Sequence, residues 1–139
     1  MQLIVAGERD GRSCVVGRTE WRHDPAATDV SATRVLELEV GDPSVRPVGT
    51  SEYRDYGIPV GTAHWNRVRF PAHQVRPLHY TNTIDTITVI DGSLWLVLDD
   101  GEHEMLPGDC ALIKAVDHGW RVGPDGCVVS NILFGIPEK

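Results

Sequence analysis

The strongest pattern along the chain is short runs of alternating apolar and polar residues, cut by turn residues every ten positions or so. Gln2 to Ala6 and Ser13 to Val16 read as two strands around a Gly7 to Gly11 turn (GERDG). Arg34 to Val40 (RVLELEV) alternates with the period of a half-buried strand. Thr62 to Phe70 (TAHWNRVRF) alternates again, with Trp65, Arg67 and Arg69 on one side and Asn66, Val68 and Phe70 on the other. Beyond Pro77 the punctuation becomes dense. Asp91-Gly92 separates ITVI from SLWLVL and predicts a two-residue hairpin loop, because both positions tolerate positive φ. Asp99-Asp100-Gly101, Pro107-Gly108-Asp109 and Gly123 to Gly126 mark further turns, the last placed before a final strand from Cys127 to Phe134. Asp24-Pro25 suits one turn of helix. No long amphipathic helix is predicted, so the pattern argues an all-β barrel or double sheet.

Between Gly41 and Gly61 no period holds, and three prolines, four glycines and two tyrosines interrupt the chain. An irregular segment of this length inside a compact domain is either a plain surface loop or a functional one. Tyr53 and Tyr56 would make it a lid if it lay over a pocket.

Composition narrows the class. At 139 residues with 41% hydrophobic and 24% charged positions, the chain reads as one globular domain. A chain of this size buries roughly 68–70% of its unfolded surface and needs no metal or disulfide to fold. Net charge is −7, with 13 basic against 20 acidic residues, which argues against nucleic acid as a partner. Cys14, Cys110 and Cys127 fit neither a disulfide framework nor a zinc pattern and are expected as reduced, mostly buried small residues. No signal peptide and no membrane-length apolar stretch is read, so the expected compartment is the cytoplasm.

From Leu78 to Val122 two polar clusters stand between the apolar runs: His79, Thr81 and Asp85, then His118 with Trp120. His79-Tyr80-Thr81, three residues, Asp85, six residues and Gly92 follow one another, and later Gly101, five residues, Pro107-Gly108-Asp109 and His118-Gly119-Trp120. This order and spacing resembles the two motifs of the cupin family, with Thr81 in place of a second histidine, Asp85 in place of a glutamate and Val122 in place of an asparagine. The resemblance implies a double-stranded β-helix (jelly-roll barrel), with its core over about 62–136 and additional N-terminal strands and loop over 1–61, in a single domain of residues 1–139.

The resemblance also implies that His79, Asp85 and His118 meet in the barrel. Two readings of that set stay open. It binds one divalent metal, Zn, Mn or Fe, through His79, Asp85 and His118. Alternatively it works without a cofactor, with burial tuning Asp85 and the imidazoles into a general acid and base. Thr81, Trp120, Tyr80 and Arg67 are the expected pocket residues. Thr81 is also an ordinary strand residue, and Arg67 and Arg69 also suit a solvated surface. Trp65 and Trp95 are expected in the core. The implied activity is that of a lyase, isomerase or cyclase acting on a largely apolar, cyclic or polyketide-like small molecule. A non-catalytic binding protein and an Fe(II) dioxygenase are the alternatives. Strand edges favour a homodimer, with no membrane partner.

Overall fold

In a computed structural model that describes residues 1–138, nine strands form one curled sheet, with no helix among the described residues. They are β1 (Gln2–Arg9), β2 (Arg12–Glu20), β3 (Glu52–Arg54), β4 (Ala63–Phe70), β5 (Val75–Thr81), β6 (Thr83–Leu98), β7 (Gly101–Met105), β8 (Cys110–Lys114) and β9 (His118–Gly135). The order across the sheet is β2-β1-β8-β6-β9-β5-β3, while β4 pairs with β9 and β7 with β6. This is a jelly-roll barrel, the fold the motif resemblance implies.

Two long strands turn the sheet into a barrel. β6 and β9 run antiparallel from Thr83 opposite Gly135 to Val97 opposite Gly119. The first half of β6 also pairs with β8 and the second half with β7. Likewise the late half of β9 pairs with β4 and its start with β5. Each long strand therefore passes from one side of the barrel to the other.

Asp91-Gly92 is not a hairpin loop, as its sequence suggests. It lies inside β6, at register shifts between Val89 and Asp91 and between Gly92 and Leu94. The inward residues are Asp85, Ile87 and Val89 before the shift and Leu94, Leu96 and Leu98 after it, so the alternation changes phase. A bulge and a hairpin share both signals, a phase change and a residue with positive φ, and only the pairing partners separate them. Gly92 has φ 75°, and a Cβ there would meet the Gly126 carbonyl oxygen at 2.0 Å. For the same reason Gly123 to Gly126 does not precede a separate strand but forms the matching bend within β9.

Inside the barrel, Ile4, Ala6, Val89, Leu94, Leu96, Met105, Ile113 and Val129 build the main core. The opposite faces of β1 and β8 present Leu3, Val5 and Leu112 to a second apolar cluster outside the barrel. Val35, Leu36 and Leu38 cover that cluster, and this accounts for the alternation in RVLELEV. The expected strand at Arg34 to Val40 is absent: the segment has no ladder partner and lies as an extended strap, its apolar side chains on the barrel wall. At Asp24-Pro25 there is a turn and no helix, with the Ala26 amide donating to Asp24 Oδ1 at 2.9 Å.

β4 turns Asn66, Val68 and Phe70 inward. Trp65, expected in the core, is 78% exposed and donates to Ser130 Oγ at 2.6 Å. Trp95 is half-buried on the outer side of β6, its ring under the Arg121 guanidinium at 4.0 Å. Cys127 is buried, Cys14 and Cys110 are half-buried, and all three thiols are free. No helix of the described residues is long and apolar enough to cross a membrane.

Candidate functional site

β5, β6 and β9 bring the two polar clusters of the sequence into one cavity of about 390 Å³. His79 pairs with His118 across β5 and β9, so the two imidazoles share a face, with ring centroids 4.5 Å apart. Asp85 enters from β6, whose pairing places it between Ile113 of β8 and Leu133 of β9. Trp120 follows His118 on the same face, edge-on at 6.0 Å. Val68, Phe70, Ile87, Val129 and Leu133 make the rest of the wall apolar, while Asn66 and Asn131 hydrogen-bond to each other at 3.1 Å within it.

The hydrogen bonds fix the imidazole tautomers. His79 Nδ1 lies 2.9 Å from the Pro77 carbonyl and His118 Nδ1 lies 2.8 Å from the Val116 carbonyl. A carbonyl only accepts, so each Nδ1 carries the proton and each Nε2 keeps its lone pair. His118 Nε2 faces Asp85 Oδ2 at 4.0 Å. That separation is too long for a direct hydrogen bond and wide enough to straddle a reacting atom.

Burial sets the charges. His118 and Asp85 are only 2% and 4% exposed. Desolvation pushes Asp85 up to about 7, against the opposing pull of the Thr83 hydroxyl that donates to its Oδ1 at 2.5 Å. Desolvation, assisted by the neighbouring His79, pushes His118 down to about 4. His79 is also held below its ordinary range, chiefly by burial. Near neutrality the site therefore holds two neutral imidazoles and a carboxyl group close to its midpoint.

Several expected pocket residues stand elsewhere. Arg67 is on the solvent side of β4 and does not line the cavity. Tyr80 is buried but alternates to the other side of β5 from His79, where its ring packs on Tyr53 at 5.3 Å. Thr81 is fully buried and does not line the cavity, its hydroxyl 2.8 Å from Thr83 Oγ1, which continues to Asp85.

The expected three-ligand metal set does not fit. Among the described residues no three His, Cys, Asp or Glu side chains are arranged to hold a metal ion. Asp is one methylene shorter than Glu, and this carboxyl group is held back by Thr83. Thr81, where the motif has a histidine, gives its hydroxyl to Thr83. His79, His118 and Asp85 Oδ2 share the cavity, but they are not gathered about one point as a divalent centre requires.

Two charged cavity residues were not read from the sequence: Arg54 and Arg76. Arg54 and Tyr56 belong to the irregular 41–61 segment, which β3 fastens to β5 in parallel. Of the two tyrosines expected over a pocket, Tyr56 lines it and Tyr53 does not. Arg76 reaches the cavity through a bulge in β5 that the sequence does not announce.

No protein-family model matches the chain. Among curated proteins it is 37% identical over 60 residues to the cupin-domain-containing oxidoreductase fogC of Aspergillus ruber (strain CBS 135680). The match takes in 42% of this chain and 30% of that protein. The chain thus has the jelly-roll topology and shares a 60-residue segment with a cupin-domain protein, of whose length it spans 30%.

Solved structures that superpose on part of this protein include the polyketide cyclase RemF from Streptomyces resistomycificus, at TM-score 0.47 and 24% identity over 51% of this chain and 53% of that one. Ectoine synthase from P. lautus gives TM-score 0.48 at 12% identity over 55% and 56% of the two chains. A cupin-superfamily sugar phosphate isomerase from Silicibacter pomeroyi gives 0.46 at 23% over 54% and 52%. At these scores the superpositions carry no argument about this protein's activity.

Proposed function

We propose that this protein is a proton-transfer enzyme of lyase, isomerase or cyclase type, acting on a small, largely apolar molecule in its barrel. One observation supports this above the others: a buried carboxyl group with its pKa near 7 faces a neutral imidazole Nε2 at 4.0 Å across an apolar cavity. Acid–base catalysis is most effective when the pKa of the catalytic group lies close to the working pH. The two groups are also pushed in opposite directions, which supports Asp85 as the acid and an imidazole as the base.

In this reading His118 Nε2 takes a proton from a carbon acid while the Asp85 carboxyl group gives its proton to the adjacent carbonyl oxygen, leaving an enol. The C–H and Asp85 O–H bonds break and N–H and enol O–H bonds form. His79, 4.5 Å away, cannot hold a second positive charge beside a protonated His118, so the imidazole pair carries at most one added proton between them. Return of the protons at another carbon gives isomerisation, expulsion of a leaving group gives elimination, and attack on a second carbonyl gives ring closure.

An enolisable aryl ketone such as 2-tetralone tests the proton transfer directly, through exchange of its α-protons in D2O followed by NMR. The wild-type protein is expected to accelerate exchange, with kcat/KM rising through about 4 as His118 loses its proton and falling through about 7 as Asp85 loses its own. Asp85→Asn and His118→Gln should each lower the rate by about a hundredfold or more. Exchange no faster than buffer, or unaffected by either substitution, would leave a non-catalytic binding protein as the better reading.

A further inference from the structure

The mouth of the cavity carries positive charge that the proton-transfer chemistry does not use. Arg76 comes from β5, where Arg76 pairs with Trp120 and His79 with His118. Trp120 and His118 are two residues apart and face inward together, whereas Arg76 and His79 are three apart. The extra residue of the bulge restores the phase, so Arg76 also faces the cavity. Gly119 permits this close crossing, since a Cβ there would lie 2.5 Å from the Arg76 carbonyl oxygen. Arg54 arrives from the neighbouring strand, beside Thr81 in the β3–β5 pairing.

The two guanidiniums differ in what they already hold. Arg54 pairs with Glu52 at 3.1 Å, on a carboxylate that is 66% exposed. The Arg76 guanidinium makes no ion pair or hydrogen bond among the described residues. Their fields converge on the same two groups: burial raises the pKa of Tyr56 and both arginines oppose that rise, while burial lowers the pKa of His79 and both arginines add to the fall. Asp85, the one acidic residue of the wall, is governed by burial and Thr83 and not by either arginine. The cavity thus holds two arginines on partly exposed strands together with a buried acid–base pair and apolar side chains. In a protein of net charge −7, an arginine left without a partner at a cavity mouth points to an anion that comes from outside.

We propose that Arg76, supported by Arg54, is a carboxylate-binding subsite, and that the substrate is a small organic acid with an apolar ring or chain. The planar guanidinium takes a carboxylate through paired hydrogen bonds and fixes its orientation. The apolar body then lies against Trp120 and Phe70, with its carbonyl carbon held between Asp85 and His118. This rests on the proton-transfer reading for what happens deeper in the cavity, but the anion subsite can be tested by binding alone.

Calorimetric titration with 2-naphthoate and with its neutral analogue 2-naphthamide makes the test. Wild-type protein should bind the acid about tenfold or more tightly than the amide, the scale of a charge-assisted hydrogen bond. Arg76→Gln should remove that preference and leave the amide unaffected, while Arg76→Lys should keep part of it. Asp85→Asn, which disables the proposed acid, should keep the full preference, so failed catalysis and a failed subsite give different results. As an independent readout, Arg76→Gln should move the NMR titration of His79 upward, because a cation that opposes its protonation is gone. Equal affinity for acid and amide in the wild type, or an unchanged preference in folded Arg76→Gln, would overturn the proposal. Should Arg76→Gln not fold, the wild-type comparison of acid with amide decides alone.

Discussion

Asp85 and His118 carry opposite stability costs that hide each other in the intact site. The folded pKa of Asp85 is raised from 3.8 to about 7, so its contribution to stability is present below 3.8 and is lost as pH rises toward 7. His118 is depressed from 6.5 to about 4, so its contribution is present above 6.5 and is lost as pH falls through about 4. These displacements correspond to about 4 and about 3 kcal/mol. Between about 4 and 6.5 the two slopes oppose, and wild-type stability should be nearly flat. Asp85→Asn should leave the His118 slope exposed, with stability falling as the solution is acidified from 6.5 to 4. In His118→Gln stability should instead fall as pH rises from 4 to 7. Urea denaturation across this range reads both slopes, and parallel curves for the two variants would show that burial does not set these charges. Asp85→Asn should also be more stable than wild type at pH 8, since an inactive amide replaces a buried carboxylate.

At the scale of the element, the bends in β6 and β9 decide where every inward residue points. Gly92 has φ 75° and its missing Cβ is replaced by the Gly126 carbonyl, so Gly92→Ala adds a backbone clash to the cost of a left-handed conformation. We expect a loss of at least about 2 kcal/mol, measured by urea titration. Gly11, in the β1–β2 turn, has φ 79° with nothing within 4 Å, and Gly11→Ala should cost only about 1 kcal/mol from backbone strain. Similar losses at the two positions would mean that the β6–β9 crossing yields more easily than its geometry indicates. β5 obeys the same logic: its bulge brings Arg76 to the face that His79 and Trp120 share.

For the molecule as a whole, the cavity is completed by chain that lies outside the barrel core. Asp117 fastens that chain. Its carboxylate accepts the Thr50 amide at 2.8 Å, the Ser51 amide at 3.2 Å and both hydroxyls of these residues. Burial opposes its charge, yet these four donors together hold its pKa below the ordinary value. The anchored residues lead directly into β3, which carries Arg54, and on to Tyr56. Asp117→Ala leaves those donors unpaired and should cost about 2–4 kcal/mol. It should also loosen β3, seen as faster amide exchange at Tyr53 and Arg54 and weaker binding of 2-naphthoate. Unchanged exchange there would show that β3 is held by its pairing with β5 alone.

Much of this protein was legible in the chain because local chemistry is repeated faithfully by the fold. Alternating runs and turn residues pointed to an all-β fold, because side-chain period and turn geometry are local. That His79, Asp85 and His118 meet in one cavity was implied by the resemblance to the cupin motifs and not by any local pattern. Register is not local. A bulge changes which face a residue occupies without changing its sequence neighbourhood, so Asp91-Gly92 read as a hairpin and Arg76 went unread. Alternation also cannot distinguish a paired strand from a strap lying on an apolar wall, and Arg34 to Val40 proved to be the strap. The same limit placed Arg67 and Tyr80 in the pocket, when strand pairing turns one to solvent and the other behind the wall. Tertiary structure alone decided the charge of the site, because burial raises Asp85 and lowers His118, and burial is a property of the closed barrel.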